Sequence, residues 1–472
     1  MLLQGKRLYA DFFGLLPPGS YLLTAAWFGV TDISLGSART LAILTVVGIA
    51  CFTFLACERV SRNTLLSVIL ACGWVMMSRW QWMSMQVSHH SFATLFSMVA
   101  IWAALASLGQ VQPRSLRWPI VAGVAAGATT VVMQTCGAWT TLAGVTAFLS
   151  GRRNRAQLVS YVFGFALVIA GILAFLVQQQ ILVSAFDDVV RFAITRYASI
   201  QYVPFGYGAS IFDLPLKYVF PLAASLLVFI SARDWRTSLR DPALRLCTSF
   251  ALAGFAGCFP RPDIGHISFT APLALPLFAL CAARLARRMR PPFPYVIAIV
   301  TIWLCTPSAI SYAYIARAAL HAQVVPTPRG NAAFLSKKDV PELLPKIVEV
   351  PVKDTVFFYP YMPMLAFLAA REQVSKYDGF IPGYTTPAQY RDACLSVIKD
   401  ASWVVTDWRA DYNYWRQIYP SMPASKPQET IRFEKALDQS FELIATKGFF
   451  NLRRRREGAG DGICNTISGA SS

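Results

Sequence analysis

A chain of 472 residues that is 55% hydrophobic and only 14% charged is not an ordinary soluble protein, because soluble domains carry roughly a quarter charged residues. Its 43 Lys and Arg against 25 Asp and Glu leave a net charge of +18. Most of that excess lies in short loops between apolar runs and in "RRRR" at 453–456, where the positive-inside rule accounts for it, so no nucleic-acid partner is expected.

Residues 1–36 form a first segment on the outer side of the membrane. It opens with "GKRLYADFFGLLPPG", polar, aromatic and rich in turn residues, with Asp11 close to Lys6, Arg7 and Tyr9. No secretory signal is read there, since "LLQGKRLYADFF" lacks an apolar core.

Residues 37–313 read as a transmembrane helical domain of ten spans, at 37–57, 64–78, 91–108, 118–133, 136–150, 157–177, 217–232, 243–259, 267–285 and 293–313. The split of 118–150 rests on the polar break "MQTCG", because one helix of that length would overshoot the bilayer. Every second loop is rich in arginine: Arg59 and Arg62, Arg114 and Arg117, Arg152 to Arg155, Arg233 to Arg245, and Arg284 to Arg290. That alternation marks the cytoplasmic side. The segments "RWQWMSMQVSHH", "MQTCG", 178–216, "PRPDIGH" and the whole C-terminal region then fall outside.

Within the long outer loop, residues 184–200 are amphipathic, with Phe186, Val189, Val190, Ala193, Ile194 and Tyr197 at helical spacing. Residues 330–457 turn soluble in composition. "KDTVFFYPY" and "SWVVTDW" predict strands. "TTPAQYRDACLSVIKDA" predicts a helix with a Thr386–Gln389 capping box and Pro387 at its first position. "KPQETIRFEKAL" predicts a further helix and "FELIATKGFFNLRRR" a hairpin. The fold class is therefore a polytopic α-helical membrane protein with a C-terminal extracytoplasmic α/β domain. Residues 458–472, rich in Gly and Ser, are expected to be disordered. The ten cysteines lie mostly in apolar runs and form no CxxC, which reads as small buried hydrophobes rather than a metal site or disulfide framework.

Four polar clusters on the outer side are candidates for function. Asp11 has the chemistry to take a proton from an acceptor hydroxyl or to hold a divalent cation on a phosphate; the alternative is a helix-start cap or surface ion pair. Arg79, His89 and His90 lie in 78–90 among membrane-anchoring tryptophans, and adjacent histidines on a helix point to different faces. Arg261, Asp263 and His266 precede a span; Arg261 is either a phosphate fork or half of a bracing Arg–Asp pair. Arg191, on the amphipathic stretch, faces lipid headgroups or a substrate anion. No P-loop, GxSxG, HExxH or dinucleotide fingerprint is present, which argues against an ATP-driven pump.

"GKRLYADFFGLLPPGSYLLTAAWFGV" resembles the segment after the first membrane helix of GT-C glycosyltransferases. The branch is the bacterial family 39 / RgtA-B-C-D-like group, related to protein O-mannosyltransferases and to the aminoarabinose transferase of lipid A. Gly5, Tyr9, Asp11, Phe12, Phe13, Pro17, Pro18 and Gly19 carry that likeness. "SARTLAILTVVGIA", "RPDIGHISFTAPLALP" and "FFYPYMPMLAFLAAR" extend it along the chain. The resemblance implies a multi-pass protein of the bacterial inner membrane. Its activity would be transfer of a sugar from a polyprenyl-phosphate carrier to a glycan, lipid or protein acceptor at the outer face. In the family the base is an acidic residue of the first outer loop; Asp11, the only carboxylate of "GKRLYADFFGLLPPG" though at a later position of the pattern, is the candidate catalytic residue, and Tyr9, Arg79, His89, His90, Arg191, Arg261, Asp263 and His266 are the candidates for substrate binding. No cofactor is fixed by it; a divalent cation is left open. Family members carry an Asp-Glu pair just after their first membrane helix, and this chain has neither before Gly5. The expectation is a natural start upstream; the alternative is a degenerate, non-catalytic scaffold. A lipid-linked sugar flippase or other transporter is the competing function, against which stand the absence of repeats and the clustering of charge at one face.

Overall fold

The structure, a computed structural model, describes residues 1–77, 87–108, 115–149, 155–232, 240–288, 309–336, 338–458 and 460–468, with positions 299 and 306. Among these, Leu35–Ser61, His89–Leu108, Arg155–Gln178 and Ile264–Arg287 are long and apolar enough to cross a membrane, and the bent pair Ile211–Lys217 and Val219–Ser231 makes a fifth. Thr64–Met77, Arg117–Val132, Gln134–Leu149 and Pro242–Gly257 occupy four more predicted spans. Their 14 to 16 residues reach only about 21–24 Å at 1.5 Å per residue, short of a ~30 Å hydrocarbon core. The predicted break near 134 is real: Met133 leaves helical geometry at φ −150° and separates two helices. The predicted span 293–313 falls mostly outside the described residues, as do Arg114, Arg152 and Arg233.

Small residues bring the helices together, as expected where lipid supplies no hydrophobic drive between them. A side chain on Gly123 would stand 1.9 Å from the Tyr161 carbonyl oxygen, and one on Gly164 would stand 2.3 Å from that of Ile120. The core of the bundle includes Trp74, whose indole N–H donates to the Ser268 carbonyl at 2.9 Å. In the first segment the structure adds a helix, Gly19–Val30, that the sequence reading left as loop.

The C-terminal domain carries a four-stranded sheet. β1 (Gln323–Val325) and β2 (Ala332–Phe334) form a separate antiparallel pair. β3 (Val356–Tyr359), β4 (Trp403–Asp407), β5 (Phe441–Lys447) and β6 (Phe450–Arg455) are ordered β3-β4-β6-β5, with β3 and β4 parallel. "VFFY" of β3 is buried throughout because both faces are covered. Val356 and Phe358 meet the Val340–Glu349 helix on one side, while Phe357 and Tyr359 meet helices Pro387–Asp400 and Gln428–Ser440 on the other. The Thr386–Gln389 capping box forms as predicted.

Two expectations are corrected here. The tail is not disordered as far as residue 468: Asp461–Ser468 is a 3-10 helix, and Cys464 and Ile467 are buried against the Pro387–Asp400 helix region. Cys464 is disulfide-bonded to Cys394 across 70 residues of sequence. These are two of the cysteines outside the apolar runs; in the bundle Cys57, Cys247, Cys258 and Cys281 are buried as expected, whereas Cys51 and Cys72 are exposed.

The domain sits on the end of the bundle opposite Arg59, Arg117, Arg155 and Arg284. Leu35 N–H donates to the Arg329 carbonyl (2.8 Å), Phe13 N–H to that of Lys376 (2.9 Å) and Ser421 Oγ to that of Tyr202 (2.6 Å). Lys6 pairs with Glu372 at 2.6 Å.

Candidate active site

Three imidazoles meet where the bundle and the domain join. Asp263 caps the helix that starts at Ile264, accepting from the His266 backbone N–H at 2.9 Å. The same carboxylate receives His266 Nδ1 at 2.7 Å and Arg261 Nε at 2.6 Å. Burial pushes this carboxyl up, but the bonds from His266 and Arg261 outweigh it and hold it down at about 2. An ionised carboxylate only accepts, so Nδ1 is assigned the proton. Nε2, without a hydrogen-bond partner among the described residues, is the ring nitrogen left for a ligand.

The His90 ring lies 4.8 Å from that of His266, edge to face, and 4.1 Å from that of His89. Phe269 stacks on His90 at 4.9 Å. The expectation that adjacent histidines diverge is thus corrected. His89 and His90 are the first two residues of their helix, and their rings lie side by side.

Arg261 resolves to the bracing alternative. Its side chain is mostly buried; Nε is on Asp263, NH1 is 3.4 Å from Gln201 Oε1, and NH2 donates to the Ile418 carbonyl at 2.8 Å. Its guanidinium lies 4.7 Å from the Tyr419 ring centre. Every nitrogen is engaged, so the residue ties the Asp263 loop to the Tyr412–Ile418 helix of the domain instead of offering a fork to a phosphate.

Other candidates also find local partners. Tyr9 is fully buried among Leu8, Phe12, Leu176 and Ile181, and its hydroxyl donates to the Leu16 carbonyl at 2.7 Å, so it supports the loop and is not open to substrate. Asp11 is exposed, accepts from the Arg7 backbone N–H at 2.7 Å and pairs with the Arg7 side chain at 3.5 Å. Those Arg7 contacts lower its carboxyl, which weakens it as a base. Arg191 is exposed and pairs with Asp187 at 3.7 Å. Arg79 lies outside the described residues.

Sequence reasoning missed two carboxylates. The amphipathic stretch is helical from 182 to 200, wound as π-helix at Asp187–Arg191 and Ala193–Tyr197. Its exposed apolar stripe is Phe186, Val190 and Ile194, and Phe192 turns inward. Asp188 lies half-buried with Oδ2 3.4 Å from the Gly14 N–H, and burial raises its carboxyl to about 6. The Tyr21 hydroxyl also comes up to Gly14. Facing this point from the domain is the 377–384 loop. Its Tyr377 packs on Phe13 (5.7 Å) and its Tyr384 packs on Phe192 (5.0 Å) and Tyr197 (6.0 Å). Asp378 of that loop is exposed to solvent. A doubled acid on an amphipathic helix, "FDDVV", and the aromatic-flanked "YDGF" were the signals in the sequence.

Among the described residues no group of three or more His, Cys, Asp or Glu is placed to hold a metal ion. The arrangement supplies an imidazole cluster oriented by Asp263 and, beside Gly14, a half-buried carboxyl on Asp188 suited to take a hydroxyl proton.

No family model and no curated protein matches the sequence. Solved structures do. ArnT from Cupriavidus metallidurans bound to undecaprenyl phosphate superposes with a TM-score of 0.53 at 12% identity over 95% of this chain and 89% of that one. The same protein in the apo state gives 0.52 at 14%, over 97% and 89%. An Archaeoglobus fulgidus oligosaccharyltransferase in the apo form gives 0.51 at 11%, over 96% and 68%. The chain therefore has a GT-C fold, that of a multi-pass membrane protein with a C-terminal α/β domain.

Proposed function

We propose that the chain is a glycosyltransferase that takes a sugar from a polyprenyl-phosphate carrier and passes it to an acceptor hydroxyl on the extracytoplasmic side. The observation that carries the reading is the His89–His90–His266 cluster, with His266 oriented by Asp263, at the end of the bundle opposite the arginine-rich loops. Imidazole nitrogens at the edge of an apolar bundle suit a lipid phosphate, whose tail needs hydrocarbon and whose headgroup needs donors. The likeness to ArnT holding undecaprenyl phosphate supports the same donor class. The disulfide between Cys394 and Cys464 supports an oxidising compartment for the domain.

In this reading Asp188 replaces Asp11 as the base, since its carboxyl is the one poised near neutral pH. Asp188 takes the proton from the acceptor hydroxyl as its oxygen attacks C1 of the donor sugar. The C1–O bond to the phosphate breaks, and the electron pair leaves on the carrier phosphate. With both ring nitrogens protonated, Nδ1–H on Asp263 and Nε2–H toward the carrier phosphate, His266 donates a hydrogen bond that stabilises that charge. Asp263 fixes the ring, and Arg261 ties the Asp263 loop to the domain. Clustering of charge at one face, with no ionisable site called for mid-membrane, favours this over a transporter.

Native mass spectrometry of the full chain with undecaprenyl phosphate tests the donor site. Wild type is expected to retain the lipid, and His266→Ala and His90→Ala to weaken it about tenfold. Equal retention by both folded variants would refute the assignment.

A further inference from the structure

The proposed function leaves open what kind of acceptor is used, and the surface where the domain meets the first segment bears on it. Aromatic rings gather there. Tyr361 is 54% exposed with its ring over Gly379, where an added Cβ would stand 3.1 Å from Cδ2. Tyr384 stands edge-on to Phe192, and Phe13 joins Phe192 (5.1 Å) to Tyr377 (5.7 Å). Tyr21 reaches in from the first segment, its hydroxyl beside Gly14. Between these rings lie Asp188, bonded to Gly14 N–H, and Asp378, with no ion pair to any described residue. Asp378 directly precedes Gly379, which pairs with Tyr361 in an isolated bridge and whose carbonyl faces the Thr385 hydroxyl next to Tyr384.

Each feature selects among ligands. Two carboxylates repel an anionic headgroup and are costly beside an acyl chain. Lys376 already supplies a cation in range of Asp188, so this surface calls for hydroxyls more than for another charge. The exposed face of Tyr361 suits the C–H face of a sugar ring, and the tyrosine hydroxyls with the carboxylates suit its O–H groups. We infer that Asp378, with Tyr361 and Tyr384, forms the acceptor subsite and that the acceptor is an uncharged carbohydrate. The α/β domain then supplies part of the active site. This rests on the transferase reading for its word "acceptor", while the carbohydrate site itself does not.

Saturation-transfer NMR on the full chain in lipid nanodiscs tests it, with methyl α-glucoside, methyl α-mannoside and methyl α-galactoside as probes. At least one is expected to receive saturation at its ring protons. Asp378→Ala and Tyr361→Ala should each weaken that binding about tenfold, and Tyr361→Phe, which keeps the ring, should retain most of it. Absence of transfer to all three probes would overturn the proposal. So would full binding by Asp378→Ala, or glucose 1-phosphate binding as well as the neutral glycosides. Undecaprenyl phosphate binding on the same samples separates the two claims. If wild type binds the glycoside but not the lipid, the transferase reading fails and the subsite stands. If it binds the lipid but no glycoside, the reverse holds.

Discussion

Asp188→Asn should make the protein more stable and less active at once. Burial raises this carboxyl from its ordinary 3.8 to about 6, so the folded state holds the proton more tightly than the unfolded one. A raised folded value means that its contribution is fully favourable below about pH 4 and is lost as pH rises through about 6. The charge on Asp188 at pH 8 therefore destabilises the fold by at most ~3 kcal/mol. Because the group is half open to water, about 1–2 kcal/mol is the better figure. An asparagine of the same shape removes that cost at pH 8, about half as much at pH 5 and almost none below pH 4, so the unfolding temperature should rise by about 1–3 °C at pH 8 and by about half of that at pH 5. Transfer from a lipid-linked donor should meanwhile fall by about 10² or more, and the rise of the wild-type rate through about pH 6 should vanish. Differential scanning fluorimetry at both pH values and a radiolabelled-sugar transfer assay read the two effects. A variant destabilised at pH 8, or one that keeps its turnover, would show Asp188 to be structural and the reasoning wrong.

Arg261→Ala breaks a largely buried pair and should cost about 3 kcal/mol of local stability. Hydrogen exchange should quicken at 411–422 while undecaprenyl phosphate binding stays near wild type; lost lipid binding with unchanged exchange would restore Arg261 as a phosphate ligand. Cys464→Ser opens a link across 70 residues, worth about 4 kcal/mol on the chain-entropy account. The domain should become sensitive to protease near the Pro387–Asp400 helix, and in native membranes Cys394 and Cys464 should resist maleimide until reduced. Labelling without reduction would contradict an extracytoplasmic domain. Gly123→Leu should abolish folded protein in detergent, because its Cβ would stand 1.9 Å from the Tyr161 carbonyl oxygen; a normal gel-filtration profile would show that the helices part without cost.

What could be read in advance followed periodicity and local chemistry. The order of apolar runs, the break at "MQTCG", the Thr386 capping box and the β5–β6 hairpin all depend on neighbours in sequence, and they appear where expected. The site depends on contacts between distant segments. Arg261 looked equally suited to a phosphate until Gln201 and the Ile418 carbonyl arrived from 60 and 157 residues away. Tyr9 matched a family motif, yet its hydroxyl is used by Leu16 and its ring by the core. Asp188 looked like the polar side of a surface helix because nothing local reveals that Gly14 and the 377–384 loop close over it. Cys394 and Cys464 likewise read as two of ten, since pairing is a property of the folded domain.

The central claim is that a sugar leaves a lipid phosphate on this protein. The direct measurement supplies the full chain in nanodiscs with undecaprenyl-phosphate-linked hexoses and a mixture of neutral envelope glycans, and counts free undecaprenyl phosphate by mass spectrometry. Wild type should release the free carrier with matching gain of sugar on a glycan, and His266→Ala should release almost none. An undiminished pool of sugar-linked carrier with wild type, or its mere redistribution between leaflets when the chain is placed in vesicles, would contradict the transferase and point to a transporter.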